Sequence, residues 1–361
     1  MSNATHHQRR QEHLRGIMQR SGWSALLVTD LPNVRYLCGF TGSAGVLGFT
    51  RRHSAFFSDG RYRQQAAEEV VAQHVVTDGP PLRNASQWLA RQKPSAIGYE
   101  GGHLSAHDFS SLRRAVHVKT RWKDSGQALE HLRMVKDSDE IRRIRRAAEL
   151  GAEIFQVALQ HLSSTARECD VAAEMEYAAR TRGADGVSFE TIVASGKRSA
   201  LPHGRASRHR LPRRGFVVID FGVILAGYCS DRTRTVHLGK PGGAARRLYE
   251  AVQRAQEAAL RRLRPGVTAA EVDRAAREVL EAAGWGRYFT HSTGHGVGLE
   301  IHEPPRLAAG QKTKLQPGMI VTIEPGAYVP GQGGVRIEDM ALITDRGHEV
   351  LAPASKDLLV V

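Results

Sequence analysis

The sequence predicts a protein of two domains, an α/β domain followed by an α+β domain in which one arrangement of elements occurs twice. The chain has 361 residues, more than one ordinary hydrophobic core organises. Helical and extended hydrophobic patterns alternate from residue 9 to about residue 132. Beyond a charged stretch at residues 136–140, two helical patterns followed by paired strands occur twice. We therefore expect domains at residues 1–135 and 136–361.

The N-terminal domain alternates between helix and strand. Helical periodicity marks residues 8–19 and 61–70, and short apolar runs at residues 25–29, 54–58 and 96–100 predict strands. Such alternation is typical of α/β folds, in which helices cover a sheet. No motif with obvious chemistry stands out in this domain, so the candidate functional residues lie in the second.

The patterns of the C-terminal domain fall in the same order twice. The first set is two helical patterns and a pair of strands, at residues 138–160, 168–183 and 215–238. The second set has the same members, at residues 243–263, 268–284 and 318–345. The two halves share layout rather than obvious residue identity, so the sequence suggests an internal pseudo-repeat.

The cysteines, the lengths of the apolar runs and the net charge narrow the class of protein. Three cysteines at wide spacing, Cys38, Cys169 and Cys229, form no disulfide framework. No apolar run reaches membrane-spanning length and the N-terminus lacks the apolar region of a signal peptide, so we expect a cytoplasmic protein with no membrane partner. The formal charge of +14 comes mostly from arginine scattered along the chain, which indicates a solvated basic surface rather than a nucleic-acid partner.

Two acidic residues stand out in the first pair of strands. Asp220 lies in the first β-branched run and Asp231 lies in the second. A turn centred between Leu225 and Ala226 would place the two carboxylates directly opposite each other, where like charges destabilise a hairpin. The sequence therefore predicts a positive group between them, unless the register slips and one aspartate faces solvent.

The second pair of strands repeats this feature. A Gly- and Pro-rich turn centred at Gly331 places Glu324 opposite Glu338. Arg336 lies two residues before Glu338 and therefore on the same face of its strand. There it either braces a carboxylate through a bidentate contact or forms a simple salt bridge. Two hairpins with facing acids favour a shared site over an accident of register.

Three histidines lie between the two hairpins, within twelve residues. They are His291, His295 and His302, and the segment also holds three glycines. Glycine disfavours a helix, so the spacing of His291 and His295 is not that of a helical zinc-binding pair. The pattern instead predicts a loop that enters a strand and approaches another backbone closely. Beside four facing acids, these histidines favour a functional site over a structural role.

The candidate ligands are four carboxylates and one imidazole. This hard, oxygen-rich set suits Mn²⁺, Fe²⁺, Co²⁺ or Zn²⁺ and differs from a structural zinc site of cysteines. Four negative charges exceed the charge of one divalent ion, so we expect two ions bridged by carboxylates and about 3.5–4 Å apart. Hydrolases use such pairs to activate a shared water. The predicted reaction is hydrolysis, of a peptide bond or another amide before a phosphoester.

The motifs around these residues resemble those of the pita-bread metallopeptidases. In chain order the segments IDFG, SDRTRT, GHGVG, IEPGAY and RIED surround Asp220, Asp231, His295, Glu324 and Glu338. All five positions carry the residue types of the family's metal ligands. The family includes methionine aminopeptidase, aminopeptidase P, prolidase and the metal-free creatinase. The resemblance implies a pita-bread α+β fold and two divalent metal ions, manganese foremost, with cobalt, zinc or iron as alternatives.

The N-terminal domain is similar to that of aminopeptidase P and prolidase. The segments NVRYL, GFTGS and DGRY carry this similarity, at residues 33–37, 39–43 and 59–62. Methionine aminopeptidases lack such a domain, and creatinase does not keep the five metal ligands. The resemblance therefore covers almost the whole chain and implies a creatinase/prolidase-like N-terminal domain before the catalytic domain.

The resemblance also implies a role for each metal ligand. Asp220 would chelate one metal ion, and His295 and Glu324 would bind the other. Asp231 and Glu338 would bridge the two ions. Each role is carried over from the family's motif to the residue that matches it.

Other residues would act on the substrate or orient the ligands. His203, His291 and His302 match the family's substrate-site histidines, which hold the scissile carbonyl and neighbouring groups. Glu324 would also move a proton from water to the leaving nitrogen. Arg336 matches the arginine beside the last ligand and would orient the site.

The implied activity is release of the N-terminal residue from peptides with proline in second position, as in aminopeptidase P. The alternative is a prolidase restricted to Xaa-Pro dipeptides, and the segments RYLCGFTGS and DGRY favour aminopeptidase P. A non-catalytic pita-bread module fits less well, because no ligand is lost. The resemblance further implies a homodimer through the N-terminal domain, with Arg35 or Asp59 near a neighbour's site.

Overall fold

The structure is a computed structural model that describes residues 3–116 and 119–361. The chain divides between Arg133 and Met134 into two compact units, each of which mixes helices and strands. This confirms the predicted fold class, an α/β domain followed by an α+β domain. Across the described residues, no helix combines the length and the apolar composition needed to cross a membrane.

The first unit is built from short helices and strands in alternation. In chain order they are α1 (Asn3–Ser21), β1 (Ala25–Val28), α2 (Leu31–Cys38), β2 (Val46–Thr50), β3 (Ser54–Phe57), α3 (Arg63–Glu69), β4 (His74–Val76), α4 (Pro81–Gln92), β5 (Ala96–Tyr99), α5 (Ala106–Ala115), β6 (Arg121–Asp124) and α6 (Ala128–Met134).

The strands of the first unit form one mixed sheet in the order β4-β3-β2-β1-β5-β6. β1 is antiparallel to β2 and parallel to β5, and its four apolar residues are all buried, as expected for a central strand covered on both faces. Leu89 of α4 and Leu112 of α5 share a core with Leu27, Phe57 and Ile97 of the strands. This arrangement confirms the alternation predicted for the N-terminal domain.

A polar cluster lies where β1 and β5 end. The buried Glu100 carboxylate accepts hydrogen bonds from the amides of Thr29 (2.5 Å) and Asp30 (2.8 Å) and from the side chain of Asn33 (2.7 Å). Asn33 in turn accepts a hydrogen bond from Arg133 (2.8 Å). Burial raises the pKa of Glu100 in spite of these donors. The cluster ties α2 and α6 to the sheet of this unit.

The second unit holds longer helices and several small sheets. In chain order its elements are α7 (Ser138–Gln160), α8 (Glu168–Thr181), β7 (Gly186–Val187), β8 (Ile192–Ser195), β9 (Gly215–Phe221), β10 (Val223–Leu225), β11 (Tyr228–Cys229), β12 (Arg232–Leu238), α9 (Gly243–Arg262), α10 (Ala269–Ala282), β13 (Gly294–Gly296), β14 (Glu303–Leu307), β15 (Ile320–Ile323), β16 (Gly326–Val329), β17 (Gly333–Arg336), β18 (Asp339–Ile343) and β19 (His348–Val350).

Each half of the second unit packs a pair of helices against a pair of strands. α7 and α8 cover β9 and β12 through a core that includes Ile154, Met175 and Ile219. α9 and α10 cover β15 and β18 through a second core that includes Val272 and Val321. The same order of elements thus forms both halves, which confirms the predicted pseudo-repeat.

The first hairpin has a different register from the one predicted. Phe221 pairs with Arg232 and Asp220 pairs with Thr233, so Asp220 is not directly opposite Asp231. The cause is the turn: Ala226 and Gly227 have positive φ values of 50° and 81° and form a two-residue loop, which moves the hairpin centre by one residue. Each residue of β9 therefore pairs with a residue of β12 that lies two positions after the predicted partner. Because the shift is even, Asp220 and Asp231 still point to one face.

The second hairpin keeps the predicted register. Ile323 pairs with Asp339 in one sheet and Gly326 pairs with Arg336 in the next, and both pairs are centred on Gly331. Glu324 and Glu338 lie in line between these pairs, as predicted. Gly331, at the centre of the hairpin, has a φ of 77°. Glycine suits this position because it adopts positive φ without steric cost.

β12 joins the two hairpins. The amide of Glu338 donates to the carbonyl of Thr233 (3.1 Å). Two residues along, the Thr235 hydroxyl donates to the Arg336 carbonyl (2.9 Å) and accepts from the Arg336 amide (3.1 Å). These bonds set the strand ends that carry the acids beside each other.

Candidate active site

The five predicted metal ligands lie in one cluster at this junction. Asp220 is in β9 and Asp231 precedes β12, whereas Glu324 follows β15 and Glu338 precedes β18. His295 is the central residue of β13. One ligand atom each from Asp231, His295 and Glu338 lies within 4.8 Å of the other two. Each half of the pseudo-repeat thus supplies two carboxylates.

His295 bridges carboxylates from both hairpins. Its Nε2 lies 3.3 Å from Glu324 Oε1 and 3.5 Å from Asp231 Oδ2. Its Nδ1 lies 3.0 Å from the carbonyl oxygen of Gly296, which can only accept, so Nδ1 carries a proton and Nε2 faces the acids. This is the orientation that a histidine ligand needs.

His295 and Glu324 shift each other's pKa in opposite directions. Burial opposes the charged form of each. For Glu324, the hydrogen bond and positive charge of His295 outweigh burial and lower the pKa to about 2. For His295, the hydrogen bond and negative charge of Glu324 likewise outweigh burial and raise the pKa. Each of the two side chains therefore stabilises the charged form of the other.

The positive charges near the other three acids, Asp220, Asp231 and Glu338, do not fully balance them. Burial raises the pKa of Asp231 and Glu338 well above the ordinary values, and the neighbouring acids raise it further. Burial also raises the pKa of Asp220, and the positive charge of Arg336 reverses only part of that shift. The cluster therefore holds more carboxylates than the protein's own cations can keep ionised.

Arg336 holds one of these carboxylates. The buried guanidinium donates through Nη2 to Asp220 Oδ2 (2.6 Å) and through Nε to the hydroxyl of Thr233 (3.0 Å). Its Nη1 donates to the hydroxyl of Tyr328 (2.7 Å) and to the carbonyl of Pro202 (2.9 Å). Arg336 thus forms a one-oxygen ion pair with Asp220, rather than a bidentate one, and forms no hydrogen bond with the second oxygen of Asp220.

Threonine hydroxyls orient two further acids. Thr233 donates to Glu338 Oε2 (2.6 Å), and Thr322 donates to Glu324 Oε1 (3.3 Å). The Thr322 hydroxyl also accepts from the amide of His295 (3.0 Å). Both threonines are fully buried, so these contacts are screened from water.

The donor set fits a divalent metal centre. Asp220 Oδ1 and Glu338 Oε1 are buried and, among the described residues, have no hydrogen-bond partner. Buried carboxylate oxygens without partners are costly, and a cation beside them removes that cost. Oxygen ligands with one imidazole suit Mn²⁺, Fe²⁺, Co²⁺ or Zn²⁺. The residues that could hold such ions are the five clustered ligands.

Glycines on both sides of His295 let three strands approach. A Cβ on Gly294 would lie 1.9 Å from the carbonyl oxygen of Thr322, and one on Gly296 would lie 2.3 Å from that of Pro304. Any side chain at either position would push β13 away from its neighbours. This confirms the predicted loop that enters a strand with close backbone approach.

The three predicted substrate-site histidines surround the cluster at different depths. The His302 ring lies edge-on to His295, with centroids 4.4 Å apart, and the exposed His203 follows the carbonyl of Pro202 that Arg336 binds. His291 Nε2 lies 2.9 Å from the Tyr328 hydroxyl, and Nδ1 lies 2.8 Å from the Ser292 carbonyl. Burial is the main cause that lowers the pKa of His291 and of His302.

Sequence reasoning did not single out Thr233, Thr322 or Tyr328. Each threonine stands two residues from an acidic ligand, at the spacing that shares a strand face, and this was a usable signal. Tyr328 lies four residues after Glu324 in the IEPGAY segment. Its hydroxyl joins Arg336 to His291, and burial raises its pKa to about 12. The sequence alone offers no sign of that link.

A carboxylate-rich cluster between two related hairpins defines the class as a candidate metallohydrolase. Residues 142–345 match the model of metallopeptidase family M24, and residues 10–135 match that of the creatinase/prolidase N-terminal domain. The chain therefore belongs to metallopeptidase family M24 and carries the creatinase/prolidase type of N-terminal domain. This confirms the resemblance to two-domain pita-bread peptidases.

Two solved relatives match nearly the whole chain, and a further relative matches about three quarters of it. A solved Xaa-Pro dipeptidase from Bacillus anthracis is 36% identical, with a TM-score of 0.95 over 98% of this chain and 100% of that one. A solved X-Pro aminopeptidase from Thermotoga maritima is 35% identical, with a TM-score of 0.85 over 95% of this chain and 99% of that one. An Xaa-Pro dipeptidase from Pyrococcus furiosus is 44% identical over 263 residues, 73% of this chain and 75% of the relative.

Proposed function

We propose that this protein is a metal-dependent Xaa-Pro dipeptidase, which hydrolyses the bond before proline in dipeptides. The observation that carries the proposal is the buried ligand cluster, in which two carboxylate oxygens have no partner among the described residues. The dipeptidase relatives support this activity better than the aminopeptidase P activity expected from the sequence. The predictions of a homodimer and of a cytoplasmic location stay predictions.

In the proposal, two divalent ions are held by the five clustered side chains. Asp220 would hold one ion, His295 and Glu324 would hold the other, and Asp231 and Glu338 would be shared between the two. When bound, the ions lower the pKa of water and polarise the scissile carbonyl. Manganese is the first candidate, because the set is rich in hard oxygen ligands.

Glu324 is the proposed proton carrier. Glu324 lies at the edge of the cluster beside His295, where its carboxylate can accept a proton from water and deliver it to the proline nitrogen as the amide bond breaks. An Xaa-Pro bond is a tertiary amide without an N–H, so peptidases that must bind that donor fail on it. A site that works through the carbonyl and the leaving nitrogen has no such requirement.

The histidines act on the substrate in this proposal. Burial lowers the pKa of His291 and of His302 and so favours their neutral forms, and the exposed neutral ring of His302 can donate one hydrogen bond to a substrate carbonyl. His302 and His203 are exposed, which suits direct contact. Both ring nitrogens of His291 already have partners, so this residue acts at a place fixed by Tyr328.

An assay with two matched substrates tests the proposal. Purified protein loaded with Mn²⁺ is given an Xaa-Pro dipeptide, the Xaa-Pro-Xaa tripeptide that extends it, and an Xaa-Ala dipeptide as the control. We expect cleavage of the Xaa-Pro dipeptide with a kcat/KM at least about tenfold above those of the other two, a difference of about 1.4 kcal/mol in transition-state binding. Equal or better cleavage of the tripeptide would instead support the aminopeptidase P activity. Cleavage of neither proline substrate would refute both.

A further inference from the structure

We infer that Asp273 and Arg277 of α10, which lie outside the ligand cluster, are positioning residues for His291. The inference rests on the proposed function, in which His291 belongs to the substrate site. The pair fixes the main chain of residues 289–293 through hydrogen bonds from α10.

Asp273 and Arg277 form a tight ion pair on one face of α10. They are four residues apart and therefore one helical turn apart. Arg277 Nε donates to Asp273 Oδ2 (2.7 Å) and Nη2 donates to Oδ1 (3.1 Å), a bidentate contact. The Asp273 side chain is 1% exposed and that of Arg277 is 29% exposed. The carboxylate of the pair is thus buried, and two hydrogen bonds join it to the partly exposed guanidinium.

The remaining donors of Arg277 bind the segment that carries His291. Nη2 donates to the carbonyl of His291 itself (2.5 Å), and Nη1 donates to that of Phe289 (3.3 Å). The guanidinium lies over the Phe289 ring, 4.3 Å from its centroid. That ring in turn meets the His291 ring edge-on, with centroids 5.1 Å apart. Arg277 therefore constrains both the backbone and the ring of His291.

Asp273 holds the other side of the same segment. Its Oδ1 accepts from the amide (3.1 Å) and the hydroxyl (2.8 Å) of Thr293. The carbonyl of Thr293 accepts from the amide of Glu324 (2.8 Å), so this side of the pair leads to the ligand cluster. The two ends of one ion pair thus fix the chain at His291 and two residues beyond it.

This arrangement separates substrate positioning from metal binding. Arg277 contacts residues 289 and 291, whereas Asp273 contacts Thr293, which is joined to the ligand Glu324. A change at Arg277 should therefore displace His291 from the Tyr328 hydroxyl and leave the metal ligands in place. A displacement of about 1 Å at a substrate-positioning group costs on the order of 10- to 100-fold in rate.

Substitution of Arg277 by lysine tests the inference. Lysine keeps the charge that Asp273 needs but lacks the planar fork that reaches the carboxylate and two carbonyls together. The matched control is Arg274→Lys, because Arg274 lies on the same helix in an exposed pair with Glu278 at 3.9 Å. We expect kcat/KM for the Xaa-Pro dipeptide to fall by about 10- to 100-fold in Arg277→Lys and to stay unchanged in Arg274→Lys. Metal content should match the wild type in both variants.

Hydrogen exchange supplies a readout that does not depend on activity. We expect the amides of residues 289–293 to exchange at least about tenfold faster in Arg277→Lys, with the melting temperature within a few degrees of the wild type. Kinetics and exchange equal to those of Arg274→Lys would overturn the inference. So would an activity loss that follows a loss of metal. A wild-type protein that cleaves no Xaa-Pro substrate would refute the proposed function instead, and the exchange rates would still report on the ion pair.

Discussion

Asp231→Asn is expected to lower kcat/KM for the Xaa-Pro dipeptide by about 10³-fold or more. Asn keeps the shape of the side chain but offers one neutral oxygen where the proposed bridge needs a charged carboxylate with two. The proposed ions supply several kcal/mol of transition-state stabilisation, and each 1.36 kcal/mol is tenfold in rate. The measurement is steady-state kinetics with metal analysis of the same sample. The control is Asp345→Asn, an exposed aspartate, which should retain wild-type kinetics.

In the metal-free protein, the same substitution should increase the free energy of unfolding near pH 8. The folded-state pKa of Asp231 is raised, so its contribution to stability is present at low pH and is lost as the pH rises from about 4, the unfolded pKa of aspartate. Asparagine does not ionise, so the substitution removes this pH-dependent contribution to stability. In the presence of a chelator, urea unfolding should show Asp231→Asn to be more stable than the wild type near pH 8 and less sensitive to pH above about pH 5. A destabilised variant at pH 8 would contradict the picture of unrelieved repulsion in the cluster.

Lys136→Met is expected to destabilise the second unit by about 3–5 kcal/mol. Lys136 Nζ lies 2.9 Å from Glu303 Oε2, and both side chains are 1% exposed. Removal of the lysine would take away the cation that lies 2.9 Å from a buried carboxylate, and breaking a buried ion pair from one side is strongly destabilising. A loss of this size lowers the melting temperature by roughly 10 °C in a domain of this length. Thermal unfolding of the metal-loaded protein measures it.

Two companion variants separate charge from packing. Lys136→Met combined with Glu303→Gln removes both charges of the pair and keeps an acceptor for the Glu300 amide, which donates to Glu303 Oε1 (3.2 Å) in the wild type. It should recover most of the lost stability. Glu349→Gln, at the exposed pair of Glu349 and Arg145, should change stability by at most about 1 kcal/mol. A double variant as unstable as the single one would show that packing, rather than charge, sets the cost.

The placement of the acids was largely predictable because it depends on local sequence. The second hairpin turns at Gly331, and its register follows from that one glycine. The same reasoning gave the wrong register for the first hairpin, because Ala226 adopts a positive φ that the sequence pattern does not predict. Asp220 and Asp231 still share a face, since a slip of two residues preserves the alternation of a strand.

The contacts that orient the ligands could not be predicted from the sequence. Thr233 and Glu338 are 105 residues apart, and Lys136 and Glu303 are 167 residues apart. Such pairs depend on which strand ends and loops the fold sets side by side, and hydrophobic periodicity carries no information about them. The choice between dipeptides and longer peptides has the same origin, because it depends on the space around the site rather than on its ligands.

The most direct test of the account is metal titration of the wild-type protein. Protein stripped with a chelator is titrated with Mn²⁺, and hydrolysis of the Xaa-Pro dipeptide is followed at each addition. We expect no activity without metal and a rise that reaches its plateau at about two ions per chain, the number that four carboxylates and one imidazole are proposed to hold. Full activity in the chelated protein, with no bound metal by elemental analysis, would contradict it.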